Sequence, residues 1–156
     1  MPNKLLPAFI LSILLMTSSS VHAMLLGDTI GLSHRFPSSD DFIEGYLVEV
    51  QAGNSDVTTF GSIYTANPED DQILYDFFRP FTFSSDPFNG NVVEFIDDSL
   101  VDVTVDTNLL GWDDSFMSME DDRIAFNWRN LSVDQNSYFY ASLAFASPDE
   151  WESSNS

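Results

Sequence analysis

The side chains with the most chemistry in this sequence are carboxylates. Asp113, Asp114, Glu120, Asp121 and Asp122 fall within one short polar stretch. Hard divalent cations take six to eight oxygens from carboxylates and loop carbonyls. The stretch is therefore a candidate calcium loop, and calcium the candidate cofactor. Its spacing is not that of an EF-hand. A plainer reading stands beside it, in which acidic pairs in turns serve turn geometry and solubility. A second set, Glu94, Asp102 and Asp106, alternates with apolar residues on segments that read as neighbouring strands. On a shared face, two of these acids would suit an acid-pair glycan hydrolase, which needs carboxylates flanking a sugar and one raised pKa. Two-residue alternation explains the same acids as a solvated outer face.

Other catalytic constellations are missing. His34 is the only histidine beyond residue 23, and no Gly-x-Ser-x-Gly elbow accompanies it. There is no cysteine, so disulfides, zinc-thiolate sites and cysteine nucleophiles are excluded. The expectation is a non-enzymatic protein. Trp112, between Gly111 and Asp113, is the candidate ligand-binding ring, placed to stack on a sugar from a loop. Tyr46, Tyr64, Tyr138 and Tyr140 would extend a flat aromatic face. Trp128 reads as core.

These residues are set among short segments of period two. Val101, Val103 and Val105 alternate with Asp102, Thr104 and Asp106, and Ile124, Phe126 and Trp128 alternate with Arg123, Ala125 and Asn127. That pattern marks half-buried strands. Further strands are expected at 29–36, 46–51, 57–65 (with a bulge at Gly61), 73–78, 81–83, 92–96, 100–106, 123–128 and 138–146. Asp97-Asp98-Ser99 is short enough to join 92–96 and 100–106 as a tight antiparallel hairpin. In that hairpin, Asp97-Asp98 and the 107–122 excursion lie at opposite ends of the sheet. Turn signals recur every 8–12 residues, with no helix pattern. The fold expected is an all-β antiparallel β-sandwich, jelly-roll or Ig-like, of about eight or nine strands.

Composition sets the surroundings. There are 25 acids against five bases, a net charge of −20. All the acids lie beyond residue 23, where four arginines oppose them, a net of −21. Such a surface repels nucleic acid and anionic lipid, so neither is expected as a partner. A saline habitat alone would also account for it, salt screening the self-repulsion. Residues 1–23 have a Lys4 start, an apolar run from Leu5 to Met16 and the small-x-small ending Val21-His22-Ala23. This is the pattern of a secretory signal peptide, with no membrane span expected once it is cleaved. A single β-sandwich domain is expected over 24–147, and a flexible polar tail over 148–156.

Four blocks carry a family likeness: Gly27-Asp-Thr-Ile-Gly-Leu-Ser-His-Arg-Phe-Pro37, Asp86-Pro-Phe-Asn-Gly-Asn-Val-Val-Glu-Phe-Ile-Asp97, Val103-Thr-Val-Asp-Thr-Asn-Leu-Leu-Gly-Trp-Asp113 and Asp122-Arg-Ile-Ala-Phe-Asn-Trp128. They resemble small exported bacterial β-rich proteins of the PEP-CTERM-associated type. The resemblance implies an exported domain linked to Gram-negative envelopes and extracellular matrix. The ending Glu152-Ser-Ser-Asn-Ser156 has no Pro-Glu-Pro signature, apolar span or basic tail, so the sorting function is not expected to carry over. The reading is a secreted or periplasmic binding domain, with an extracellular glycan or matrix as its expected partner.

Overall fold

A computed structural model describes residues 24–53 and 56–146. The expected leader (1–23) and polar tail (148–156) lie outside the described residues. The chain forms strands β1 (Thr29–Arg35), β2 (Phe42–Glu49), β3 (Thr58–Phe60), β4 (Tyr64–Pro68), β5 (Gln72–Phe77), β6 (Phe81–Thr82), β7 (Gly90–Phe95), β8 (Leu100–Thr107), β9 (Met117–Glu120), β10 (Arg123–Asn127), β11 (Ser132–Val133) and β12 (Tyr138–Phe145). One 3-10 turn, Asp114–Phe116, precedes β9. Two five-stranded antiparallel sheets pack as a β-sandwich. Their orders are β2-β1-β7-β10-β9 and β3-β4-β5-β12-β8, and a β11-β6 ribbon lies beside them.

Among the described residues there are twelve strands rather than the eight or nine expected. The expected 57–65 strand is two strands, because Gly61 (φ +52°) and Ser62 (φ 55°) turn the chain between β3 and β4. Strands β9 and β11 are short and weakly alternating, so period two did not reveal them. A larger correction concerns β7 and β8. They are not a hairpin: β7 lies in the first sheet and β8 in the second. The link Ile96–Ser99 arches across the sandwich, a gap of about 10 Å that four extended residues can span. Alternation reports which face of a strand is dry but not which sheet holds the strand. Both arrangements bury Val93, Phe95, Val103 and Val105 toward the same interior.

That interior is unusually aromatic. Trp128 is fully buried, with the rings of Tyr64, Tyr75, Phe77, Phe83 and Phe139 at centroid distances of 5.1–5.5 Å. Four of these contacts are edge-on, the geometry that ring quadrupoles favour. A polar chain crosses this core. Tyr75 Oη donates to Asn91 Oδ1 at 2.8 Å, and Asn91 Nδ2 donates to Tyr64 Oη at 3.0 Å. Tyr64 Oη in turn contacts His34 Nδ1 at 3.0 Å, and His34 Nε2 contacts Asn89 Oδ1 at 3.1 Å. Asn89 Nδ2 donates to Ser84 Oγ at 2.9 Å. An amide oxygen only accepts, so His34 is protonated on Nε2 and accepts a hydrogen bond from the Tyr64 hydroxyl at Nδ1. Burial lowers the His34 pKa, against opposing effects of the Asn89 bond and the Glu44 charge. The imidazole is thus a neutral structural link.

Candidate binding cleft

Strand alternation decides what the first sheet shows to solvent. Ile124, Phe126 and Trp128 point inward, so Arg123, Ala125, Asn127 and Arg129 share the outer side. Pairing registers complete two rungs there. One runs Leu47, Gly31, Glu94, Arg123, Glu120, and the next Gly45, Ser33, Val92, Ala125, Ser118.

Two loops drape over this face. Phe88 packs on Val92 and Ala125, and its main-chain N–H donates to Pro37 O at 2.9 Å. The Ser39 carbonyl is gripped twice, accepting from Arg35 Nη1 at 3.1 Å and from Arg123 Nη2 at 2.6 Å. Arg35 also pairs with Glu94 at 3.1 Å, and Arg123 lies 3.6 Å from the exposed Asp40. Asn127 ties in the second loop. Its Nδ2 donates to Pro87 O at 2.8 Å, while its Oδ1 accepts from the main-chain N–H groups of Asn89 and Arg129. The drape turns a flat sheet into a cleft of about 260 Å³.

Its walls are Phe88, Phe116 and Met117 with the Arg123, Asn127 and Arg129 side. The guanidinium of Arg129 sits 5.6 Å from the centroid of the Phe116 ring. Among the described residues it has no carboxylate within ion-pair distance, although acids outnumber arginines 25 to four. The hydroxyls of Ser115 and Ser118 also line the cleft, with Glu120 as an acceptor at its rim. Chemically this is an amphipathic site: two guanidinium groups, of which Arg123 already faces Asp40, serine hydroxyls, one carboxylate and an apolar floor.

The sequence-derived candidates fall elsewhere or divide. Asp113 caps the 3-10 turn, accepting from Ser115 N at 2.8 Å, and those bonds hold its carboxyl below the usual range. Asp114 lies in that turn. Glu120, Asp121 and Asp122 are at the far end of β9, a strand of four residues and so roughly 13 Å away. The candidate calcium loop is therefore split in two. Among the described residues no three His, Cys, Asp or Glu side chains gather as a metal-holding group.

Asp121 and Asp122 instead meet the Asp97-Asp98 link, contrary to the expected opposite ends. Their carbonyls accept from Leu100 N at 2.7 Å and Phe95 N at 2.8 Å. There, partial burial together with the neighbouring Asp28 and Asp97 raises the Asp98 carboxyl to about 6. Trp112 is not an open stacking ring. It is half-buried, edge-on to Phe139 at 4.6 Å, and its Nε1 is enclosed without a partner.

Glu94, Asp102 and Asp106 do not share a face. Glu94 is on the outer side of the first sheet, while Asp102 and Asp106 are on the outer side of the second. Of the expected aromatic surface, Tyr64 is core. Tyr138 and Tyr140 do lie together on the second sheet, with centroids 4.8 Å apart. The Tyr140 hydroxyl donates to Asp76 at 3.0 Å.

Arg129 and Phe116 went unnoticed in the sequence. The one signal was the outward series 123, 125, 127 and 129, which continues the alternation past the end of β10. No family model matches the chain, and neither a curated protein nor a solved structure matches it significantly.

Proposed function

We propose that the protein is an exported, non-catalytic binding domain that holds a glycan-type ligand in the cleft between the loop drape and strands β9 and β10. The observation that carries this reading is Arg129, a cation on an aromatic face, without a carboxylate among the described residues and beside unengaged hydroxyls. A sugar ring has the matching character, with an apolar face and hydroxyl edges. Ligand sites characteristically combine an apolar lining with a few placed polar groups. Arg129 adds a preference for sugars that carry one carboxylate. The overall negative field disfavours heavily charged polyanions, so a sparsely charged saccharide fits best. Export rests on the leader pattern of residues 1–23. Of the acids of the expected calcium loop, Glu120 lines this cleft.

The test is a titration of the purified protein with neutral oligosaccharides and with matched oligosaccharides containing one uronic acid, followed by amide NMR. Shifts at Ser115–Ser118 and Arg129 that are stronger for the acidic series support the reading. Shifts confined to Tyr138 and Tyr140, or none for either series, overturn it.

A further inference from the structure

Strand β2 is the edge of the first sheet and pairs only with β1 among the described strands. Edge strands present unpaired N–H and C=O groups, and proteins usually blunt them with short length, Lys, Pro or inward charges. The other edges follow that rule. Strand β3 has three residues and β9 four, while β8 carries Asp102 and Asp106. Strand β2 follows it least, its only such devices being Glu44, Glu49 and a bulge at Ile43. It is eight residues long, about 27 Å when extended, and holds neither Lys nor Pro. Four of its residues are large, apolar and open to solvent: Phe42 (60%), Ile43 (58%), Tyr46 (43%) and Leu47 (77%).

The surface beside this edge is shaped as well as apolar. Gly31 and Gly45 leave a groove of about 220 Å³ bordered by Phe42, Leu47 and Glu94. Gly45 has to be glycine, because a Cβ there would stand 2.6 Å from the Phe42 ring and 2.9 Å from Leu32 O. Charge completes the description. Residues 40–49 contain Asp40, Asp41, Glu44 and Glu49 and no base.

We propose that β2 is a docking edge that takes an extended segment of another protein as a sixth strand, the segment alternating large apolar residues with Lys or Arg. Main-chain bonds to β2 would supply affinity, and alternate side chains would enter the Gly31–Gly45 groove, as in β-strand addition generally. The basic residues would meet the acids of 40–49. A second copy of this chain is the poorer occupant, since its own β2 would bring the same acids and a net charge of the same sign.

The probe is a nine-residue peptide alternating Lys with Ile, Val and Leu. Its control is a peptide of equal charge in which Gly and Ser replace the apolar residues. Amide NMR of the full protein should show shifts and slowed exchange along Phe42–Glu49 with the first peptide and not with the control. Leu47→Lys changes a side chain that is largely in solvent, so the fold is retained, as a melting curve would verify. It should weaken the peptide at least tenfold. Equal binding of the two peptides, shifts away from β2, or full affinity in Leu47→Lys would each overturn the proposal. A dimer of the protein alone that Leu47→Lys dissolves would also overturn it, by making a second copy the occupant.

Discussion

On the outer face of the first sheet, Arg35 and Arg123 reach up to one carbonyl, Ser39 O, and hold a loop over the strands. On the outer face of the second sheet, Tyr138 and Tyr140 lie bare between Asp76 and Asp106, with their hydroxyls turned to those acids. Both faces come from the same two-residue alternation, and both are wet. They differ in what the outward side chains can hold. Arginine carries several donors in a fixed fork and can clasp a main-chain oxygen at a distance. Tyrosine beside aspartate satisfies itself within the sheet. Three of the four arginines sit on the first face, and there the sheet gains a roof and a cleft.

Gly90 is the most sensitive point of the first face, where Arg35, Gly90 and Asn127 align under the drape. A Cβ there would lie 1.9 Å from Phe126 O. Gly90→Ala should therefore destabilise by more than about 3 kcal/mol in urea melts, since it forces β7 from β10. Thr104→Ala on the bare face should stay within about 0.5 kcal/mol. Arg123→Ala comes next, at about 1–3 kcal/mol, because it removes a charge-assisted bond to Ser39 O. A loss no larger than that of Tyr140→Phe would mean the drape does not depend on its arginines.

Arg129→Gln should leave the melting midpoint nearly unchanged. It should lower affinity for a uronate-bearing saccharide about tenfold, or about 1.4 kcal/mol. Tyr138→Ala should leave that affinity intact, and the reverse result would move the ligand to the other face.

The smallest effect lies where the two sheets meet at the Asp98 end. A carboxyl raised to about 6 contributes stability below its unfolded value near 3.8, and that contribution is lost as pH rises through about 6. Asp98→Asn should therefore melt slightly higher than wild type at pH 7 and equal it near pH 3.5. His34 acts in the opposite sense. Its lowered pKa means that stability falls as pH drops below about 6.5, where the unfolded chain takes a proton that the folded ring resists. Just below pH 6 the two effects oppose each other, so there the wild-type profile should be flatter than that of Asp98→Asn.

How far the sequence could be read follows from what periodicity encodes. Val103 and Val105, Ile124 to Trp128, and Phe139 to Phe145 were legible as strands with a dry face, and the sandwich followed from them. The partner of each strand was not legible. Val93 and Val103 face the same core from opposite sheets, and a short link is compatible with either a hairpin or an arch. The acids of 113–122 were visible because composition is local. The cleft was not, because it depends on Phe116 meeting Arg129 and on residues 37–39 reaching β10, and neither contact leaves a local pattern. Trp112 is illegible for the same reason: a loop position does not reveal that the ring packs edge-on with Phe139.

The hydrogen-bonded chain through the core has one further property. From Tyr75 through Asn91, Tyr64, His34 and Asn89 to Ser84, every link donates toward the surface. No single member can reverse without stranding its neighbour, so the sense of the chain is locked from within. It ends at a cavity of about 330 Å³ lined by Phe36, Ile43, Phe81 and Thr82. There the Ser84 oxygen accepts a hydrogen bond from Asn89, and among the described residues its own hydroxyl hydrogen has no partner, so it is free to donate. The buried aromatic centre thus fixes, from a distance, the hydrogen-bonding polarity of that opening: a guest there is offered a donor.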